Sequence, residues 1–497
     1  MRILGIIDIG SNSMRLVIVQ LTDDNSYRII DDVKHSVRLG KDILPNGNLH
    51  PIRMQRAIET LQFYKTLCDA IQTDQTIVVA TEAVRKAANQ KEFLELVYSL
   101  TGLAVRVLEG EEEAYYDYFS VANAFAMSEN LIMDIGGAST ELIWMKDRKV
   151  RNMASLPFGT ISITEQLNQA AGNIYEKEQT VTNSLIHSFH QLGWLPHGKT
   201  LIGIGGSFRN IAKIDKKRCA YPLELSHNYY LPGERLQDIH QLIMTTPAGR
   251  RKDIRGLSSE RADIIWGATT AINALLMYCG ISDIYISGYG LREGIIYEEI
   301  LGALHPVEDV LDYSINNLMS NIGLNKKHAF HVWQLSRSLF EQLGSVHELN
   351  ASTVNVLKTA AFLHDSGISI SYYDHHLHSF YIILNSQING ISQQELLMAA
   401  YTAASHRKNK VKIAPDHKGL LREQEINTIR KLGVILRISE SLDRQMNDNI
   451  SVVDCLIEQE VVTLKLTSNS THELEAKETM EISAAFLKEF GRRLHII

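Results

Sequence analysis

Two aspartates each close an apolar run and open a glycine turn. Asp8 does so in "GIIDIGSNS" and Asp134 in "LIMDIGGAST". In each case a second β-rich run follows, "MRLVIV" and "ELIWM". A turn of this kind between paired strands can do a specific job. Glycines let the backbone approach a ligand and adopt positive φ, and successive N–H groups point into a concavity that holds anions. The donors would be Gly10, Asn12 and Ser13 in the first turn, Gly136, Gly137 and Ser139 in the second, and Gly206 and Ser207 in the later "GIGGS" turn. An aspartate repels phosphate but can hold a hard divalent cation that bridges to it. The two turns together predict a phosphate gripped from both sides with a cation such as Mg2+, and Asp8 acts on that cation from the first turn. The plain alternative is an ordinary hairpin turn, where Asp and Gly are common anyway.

Hydrolysis of a phosphoanhydride also needs a base that orients and deprotonates water. The cluster Glu109, Glu111, Glu112 and Glu113 is the candidate source. Acidic residues also gather in a helix's first turn to complement its dipole, and that accounts for Glu111 equally well. Basic residues recur at Lys213, Lys216, Lys217 and Arg218, at Arg250, Arg251, Lys252 and Arg255, and at Arg261. Lys213 and Arg261 are the preferred substrate contacts, although most such runs are solvated surface.

The elements that must position these groups fall into three kinds. The first 300 residues alternate β-rich runs with helical periods, and the Asp8 and Asp134 turns look like one internal repeat. After His305-Pro306 strand signals vanish, helical periods take over and histidines crowd in. From about Ile450 the pattern becomes β-like again and ends in a helix. The expected domains are 1–124, 125–304, 305–448 and 449–497.

The bulk numbers narrow the function. A chain of 497 residues, 45% hydrophobic and 22% charged, is an ordinary soluble multidomain protein. A formal net charge of -7 argues against nucleic acid as the main partner. The four cysteines are dispersed without a CxxC pair, and no apolar stretch has signal-peptide or membrane-spanning character. A cytoplasmic location without a membrane span follows as the expectation.

The segments "DIGSNSMRL", "ATEAVRKAAN", "LEGEEEA", "DIGGASTEL", "GIGGSFRNIA", "ERADII" and "SGYGLREGII", in this order, resemble the exopolyphosphatase/guanosine pentaphosphate phosphohydrolase (Ppx/GppA) family. That family belongs to the actin-like (ribonuclease H-like) ATPase superfold. The resemblance implies an α/β protein with two actin-like domains, then an all-helical HD-like domain and a small α/β C-terminal domain, assembled as a homodimer. It further implies that Glu113 is the general base, that Asp134 and Glu141 hold Mg2+ or position water, and that Arg85 clamps phosphate. From the residues alone, Glu141 could be an exposed strand residue and Arg85 a solvated helix charge. Ala138 stands where the family has glycine, which calls for negative φ or a relocated anion contact.

In the helical region His331, His364, Asp365 and Asp443 follow the order of HD-superfamily metal ligands, with His376 and His406 between them. Imidazole plus carboxylate can hold one or two divalent metals, so a second metal is possible there. "LHDSG" departs from the more usual "LHDIG", and in this family the domain commonly has a structural role. The expected substrate is inorganic polyphosphate or guanosine pentaphosphate. The alternatives are a polyphosphate or alarmone sensor without turnover, and an ATP-dependent kinase of the same superfold.

Overall fold

The computed structural model describes residues 1–44, 46–302, 305–407 and 412–497. It divides into two compact units, Met1–Val310 and Leu311–Ile497. The boundary expected at 304 falls on a residue outside the described ones.

The first unit contains the same strand pattern twice. β1 (Arg2–Ile9), β2 (Met14–Leu21) and β3 (Tyr27–His35) form an antiparallel meander. After α1 (Pro51–Ile71), β4 (Gln75–Ala80) returns parallel to β1. The short helix α2 (Glu82–Arg85), α3 (Gln90–Thr101), β5 (Val105–Val107) and α4 (Gly110–Ala122) complete this half. β6 (Glu129–Ile135), β7 (Thr140–Lys146) and β8 (Lys149–Leu156) repeat the meander, followed by α5 (Thr160–Gln169) and α6 (Ile174–Leu192). β9 (Leu201–Ile204) is then parallel to β6. The chain continues through α7 (Gly205–Arg218), β10 (Tyr229–Pro232), α8 (Gly233–Thr245), α9 (Ile265–Cys279), β11 (Asp283–Ile286) and α10 (Leu291–Leu301).

The sheet orders are β3-β2-β1-β4-β5 and β10-β11-β9-β6-β7-β8. A parallel neighbour needs a crossover covering the sheet, so β1, β6 and β9 are buried nearly end to end. Each sheet packs its own core. Ile7, Leu16, Tyr64 and Phe93 anchor the first, and Leu131, Phe189, Phe208 and Ile272 the second. The Asp8 and Asp134 turns therefore occupy equivalent places, between the first two strands of each meander.

The second unit is helical except for its last part. It holds α11 (Val310–Ile322), α12 (Lys326–Gln342), α13 (Gly344–His347), α14 (Val354–Leu363), α15 (His375–Asn385), α16 (Gln393–Ala404) and α17 (Glu423–Leu442). The helical period from Val310 to Leu343 is broken at Gly323, which has φ +66°. Asn325 then caps α12 by accepting the His328 N–H. Beyond α17, β12 (Ile450–Ile457) and β13 (Val461–Ser468) form a hairpin, and α18 (Glu473–Met480) and α19 (Ser483–Phe490) follow. The final strand β14 (Arg493–Ile496) lies parallel to β13. Among the described residues no helix is long and apolar enough to cross a membrane.

Candidate functional site

Both hairpin turns close in the same way. The Gly10 N–H donates to the Ser13 carbonyl at 3.2 Å, and the Gly136 N–H to the Ser139 carbonyl at 3.0 Å. The turns face each other. A Cβ placed on Gly137 would lie 3.0 Å from the Ser11 Cβ and 3.7 Å from the Asn12 nitrogen. The expectation of positive φ at these glycines is corrected: Gly10, Gly136 and Gly137 all lack it, as does Ala138. Glycine is needed here for close approach. Asn12 is buried, and its Nδ2 donor has no partner. In the third loop positive φ is real. Gly205 has φ +87°, and a Cβ there would come within 2.5 Å of the Asp134 Oδ1.

Strand register then sets the charges. Residues directly opposite across an antiparallel pair share a face. Asp134 stands opposite Glu141, while at the equivalent place Asp8 stands opposite Arg15. Glu141 is buried and accepts from the Ser155 hydroxyl at 2.8 Å. Ser155 also fixes α4. A Cβ on Gly110 would lie 2.5 Å from the Ser155 Cβ, so glycine lets the helix start press onto β8. The glutamate cluster divides accordingly. Glu112 accepts the Glu109 N–H as a cap and pairs with Arg106, Glu111 is exposed, and Glu113 turns inward. Arg85 lies 3.5 Å from Glu113 and is held by Glu82 and the Leu108 carbonyl.

Burial and mutual repulsion push these carboxyls up. Burial raises Asp8 to about 6, with Arg292 and Arg15 opposing. Asp134 rises to about 6 by burial, opposed by Arg209. Glu141 rises to about 8 by burial and then by Asp134. Glu113 is lifted well above the ordinary carboxylate range by burial and then by Glu141, against the pull of Arg85. No three of these carboxylates bring oxygen atoms within 4.8 Å of one another; among the described residues such triads lie only in the second unit.

Guanidinium groups sit beside the acids. Arg209, held by the Gly288 carbonyl at 3.0 Å, is pushed down to about 10 by burial and then by Arg15, with Arg292 and Arg261 adding to it. Arg261 donates to the Ser207 hydroxyl at 3.3 Å and packs so closely on Gly206 that a Cβ there would lie 2.1 Å from it. Arg292 is buried and pairs with Asp32 at 2.9 Å. Lys213, one turn beyond Arg209 on α7, is exposed.

The second unit carries a separate cluster. Asp365 directs Oδ2 toward the Nε2 atoms of His364 and His328, at 3.5 and 3.8 Å. Its Oδ1 faces those of His375 and His406, at 3.2 and 3.8 Å. His364, His375 and His406 each donate Nδ1–H to a main-chain carbonyl three residues back, at 2.8, 2.8 and 2.6 Å. That leaves Nε2 as the lone-pair atom, the orientation metal-ligating histidines take. The Nε2 atoms of His328 and His364 are buried without a hydrogen-bond partner. Asp443 accepts from His328 Nδ1 at 2.7 Å and lies 3.0 Å from His331 Nδ1. Burial pushes the Asp365 carboxyl up, but the surrounding imidazoles outweigh it and hold it below its ordinary range.

Comparison with known proteins is decisive on kinship. The family model described as the Ppx/GppA phosphatase family matches residues 17–303, and the one described as Ppx/GppA phosphatase, domain III, matches residues 310–483. The chain belongs to the Ppx/GppA phosphatase family. A solved Ppx/GppA family member from Aquifex aeolicus is 29% identical, covers 61% of this chain and 99% of its own, and superimposes with a TM-score of 0.54. An exopolyphosphatase from Cytophaga hutchinsonii shares the fold at 24% identity, covering 62% of this chain and 100% of its own with a TM-score of 0.55. The two-domain actin-like α/β fold is thus that of the Ppx/GppA family.

Within this Ppx/GppA chain the structure gathers Asp8, Arg85, Glu113, Asp134, Glu141, Arg261 and the three glycine loops. It adds Arg15, Arg209, Arg292, Glu82 and Asp117, which sequence reasoning missed. The arginine signal was available, since each lies just beyond a quoted turn. In the helical cluster His375 takes the place expected of His376. Neighbouring residues on a helix point about 100° apart. The buried His376 ring instead meets those of His375 and His406 edge-on, at 6.4 Å each. His328 and Asp448 are further members the sequence reading did not name.

Proposed function

We propose that this chain is a Mg2+-dependent phosphohydrolase that removes the terminal phosphate from a phosphoanhydride chain, inorganic polyphosphate or guanosine pentaphosphate. The observation that carries this reading is the pair of facing turns with Glu113, Asp134 and Glu141 beside them. The donor set fits a hard divalent cation, because it is all oxygen, largely buried and mutually repelling until positive charge is added. Asp8, Asp134 and Glu141 would hold the ion partly through its own waters, since their oxygen atoms do not converge within 4.8 Å, and the ion when bound would neutralise phosphate charge and polarise the terminal phosphorus.

The protein's own groups supply the rest. Glu113 accepts a proton from water as the water oxygen bonds to the terminal phosphorus. The bond from that phosphorus to the bridging oxygen breaks, and its electron pair leaves with the shortened chain. Arg85 steadies the Glu113 carboxylate. The loop donors of Gly10, Asn12, Ser13, Gly136, Gly137, Ser139, Gly206 and Ser207 bind the terminal phosphate, and Arg15, Arg209, Arg261 and Arg292 bind further oxygens along the chain. Several guanidinium groups suit a substrate with several phosphates.

The test is phosphate release from long polyphosphate, short polyphosphate and guanosine pentaphosphate side by side. Glu113→Gln is expected to lower release on the order of 10³-fold, with polyphosphate binding and thermal stability retained. Release within tenfold of wild type on all three would overturn the assignment of Glu113. The helical unit, read as HD-like, is proposed to hold a second divalent metal through Asp365, His364, His375, His406 and His328. Its imidazole-rich set suits a borderline ion such as Zn2+ or Fe2+.

A further inference from the structure

Asp117 lies one helical turn beyond Glu113 on α4, so both project from the same face. It is 0% exposed, and neither carboxylate oxygen has a hydrogen-bond partner. Its position relative to the site is fixed by Gly290, the residue before α10. A Cβ on Gly290 would lie 3.0 Å from Ile204 and 3.7 Å from the Asp117 Oδ1. Ile204 is in turn the β9 neighbour of Asp134. The orphaned carboxylate therefore lies close behind the Asp134 strand end, and Asp134, Glu141, Glu113 and Asp8 all act on it electrostatically.

A carboxylate buried without a donor is costly even after the surroundings relax. Most buried side-chain polar atoms have a partner, and an exception calls for an explanation such as an ion or ordered water. An aliphatic residue would pack as well at this place on α4 and avoid the repulsion. No triad of these carboxylates, with or without Asp117, has ligand atoms within 4.8 Å of one another, so a common cation would be shared partly through water, and Asp117, set behind the Asp134 strand end, would meet it that way. Mg2+ keeps several waters when it is bound by one or two carboxylates, and those waters need acceptors.

We propose that Asp117 is a cation-positioning residue of the α/β site, accepting hydrogen bonds from the water shell of the ion that Asp8, Asp134 and Glu141 hold. The inference rests on reading those three as a cation site. It gives the unpartnered carboxylate a partner and gives α4 two tasks. Glu113 faces the reacting water, and one turn on, Asp117 faces the ion's outer shell.

The experiment is Mg2+ titration calorimetry on the full chain without substrate, in an Asp365→Ala background that disables the histidine cluster. Asp117→Asn is the main variant. Asp117→Ser removes the charge without adding volume, and melting in chelator verifies the fold of both. Loss of an outer-shell partner is expected to weaken Mg2+ binding about 10-fold or more, with the chelator melting point of the variants no lower than that of the parent. The Mg2+ half-saturation of phosphate release should rise by the same factor while the rate at saturating Mg2+ stays closer to the parent's. Unchanged Mg2+ affinity in both variants, with Asp134→Asn still abolishing binding, would overturn the role of Asp117 alone. Mg2+ binding that survives Asp134→Asn would instead overturn the cation site itself.

Discussion

Gly137→Ala tests whether the two turns close on one ligand. Gly137 does not need positive φ, so alanine brings no backbone strain. The added Cβ would lie 3.0 Å from the Ser11 Cβ and 3.2 Å from the Ile161 Cδ1, where ordinary contact begins near 3.4 Å. Ser11 cannot simply retreat. Its carbonyl accepts the Gly40 N–H at 2.8 Å, and a Cβ on Gly40 would also lie 3.0 Å from its Cβ. The facing turns must therefore part by roughly 0.5 Å. Overpacking of this kind costs about 1–3 kcal/mol, or roughly 2–10 °C in Tm for a unit of this size. A misplacement of about 1 Å can cost 10²-fold in rate, so half of that predicts a loss on the order of tenfold. The assay is Mg2+-dependent phosphate release from polyphosphate together with thermal melting, with Ala138→Gly as the neighbouring control that adds no atom. Wild-type turnover and melting in Gly137→Ala would refute the close apposition of the turns. A fall in melting point with turnover intact would refute the claim that both turns hold the same phosphate.

Two further outcomes follow from the same geometry. In chelator the folded protein holds the Glu141 carboxyl at about 8 against an ordinary 4.5, so its contribution to stability is full below pH 4.5 and is lost as pH rises through 8. The full span from 4.5 to 8 is worth on the order of 5 kcal/mol, of which roughly 3 kcal/mol falls between pH 6 and pH 9, and denaturant midpoints at those two pH values should show a decline that Glu141→Gln flattens and added Mg2+ reverses. In the helical unit, His375→Ala should lower Zn2+ or Fe2+ content about 10-fold or more by elemental analysis, whereas His376→Ala should leave it near wild type. The opposite ranking would refute the assignment of His375 to the cluster.

What the sequence made legible was local. The turn chemistry at Asp8 and Asp134 is contiguous in the chain, and the seven-residue offset from Asp134 to Glu141 follows from a short hairpin around the turn, while the matching place of Arg15 opposite Asp8 emerges only from the strand register. Glu113 could be separated from Glu109, Glu111 and Glu112 only through family resemblance, because every member of the run suits a helix start. The structure supplies the physical reason, since capping and the Arg106 pair account for Glu112 while α4 turns Glu113 inward. Less legible was whatever depends on one residue of helix phase. His375 and His376 are adjacent, and the choice between them is made at Gly367, where a Cβ would lie 2.0 Å from the His375 carbonyl oxygen. The Gly367 N–H also donates to Ser379 on α15 at 2.8 Å. Such a contact fixes where the helix begins and leaves no periodic trace.

Asp117 marks the other limit. In "EEEAYYDYFSV" it resembles a solvated charge in a polar stretch, and it is enclosed by packing remote in sequence, including that of α10 across α4. That packing depends on Gly294, where a Cβ would lie 2.2 Å from the Tyr116 carbonyl oxygen. The same glycine-mediated closeness that buries Asp117 also brings the neighbouring Arg292 to the arginine cluster. A bulkier residue at 294 would therefore lift α10 away and loosen both the Arg292 guanidinium and the enclosure of the Asp117 carboxylate. In this fold a helix-packing glycine is thereby part of how the site balances its charge.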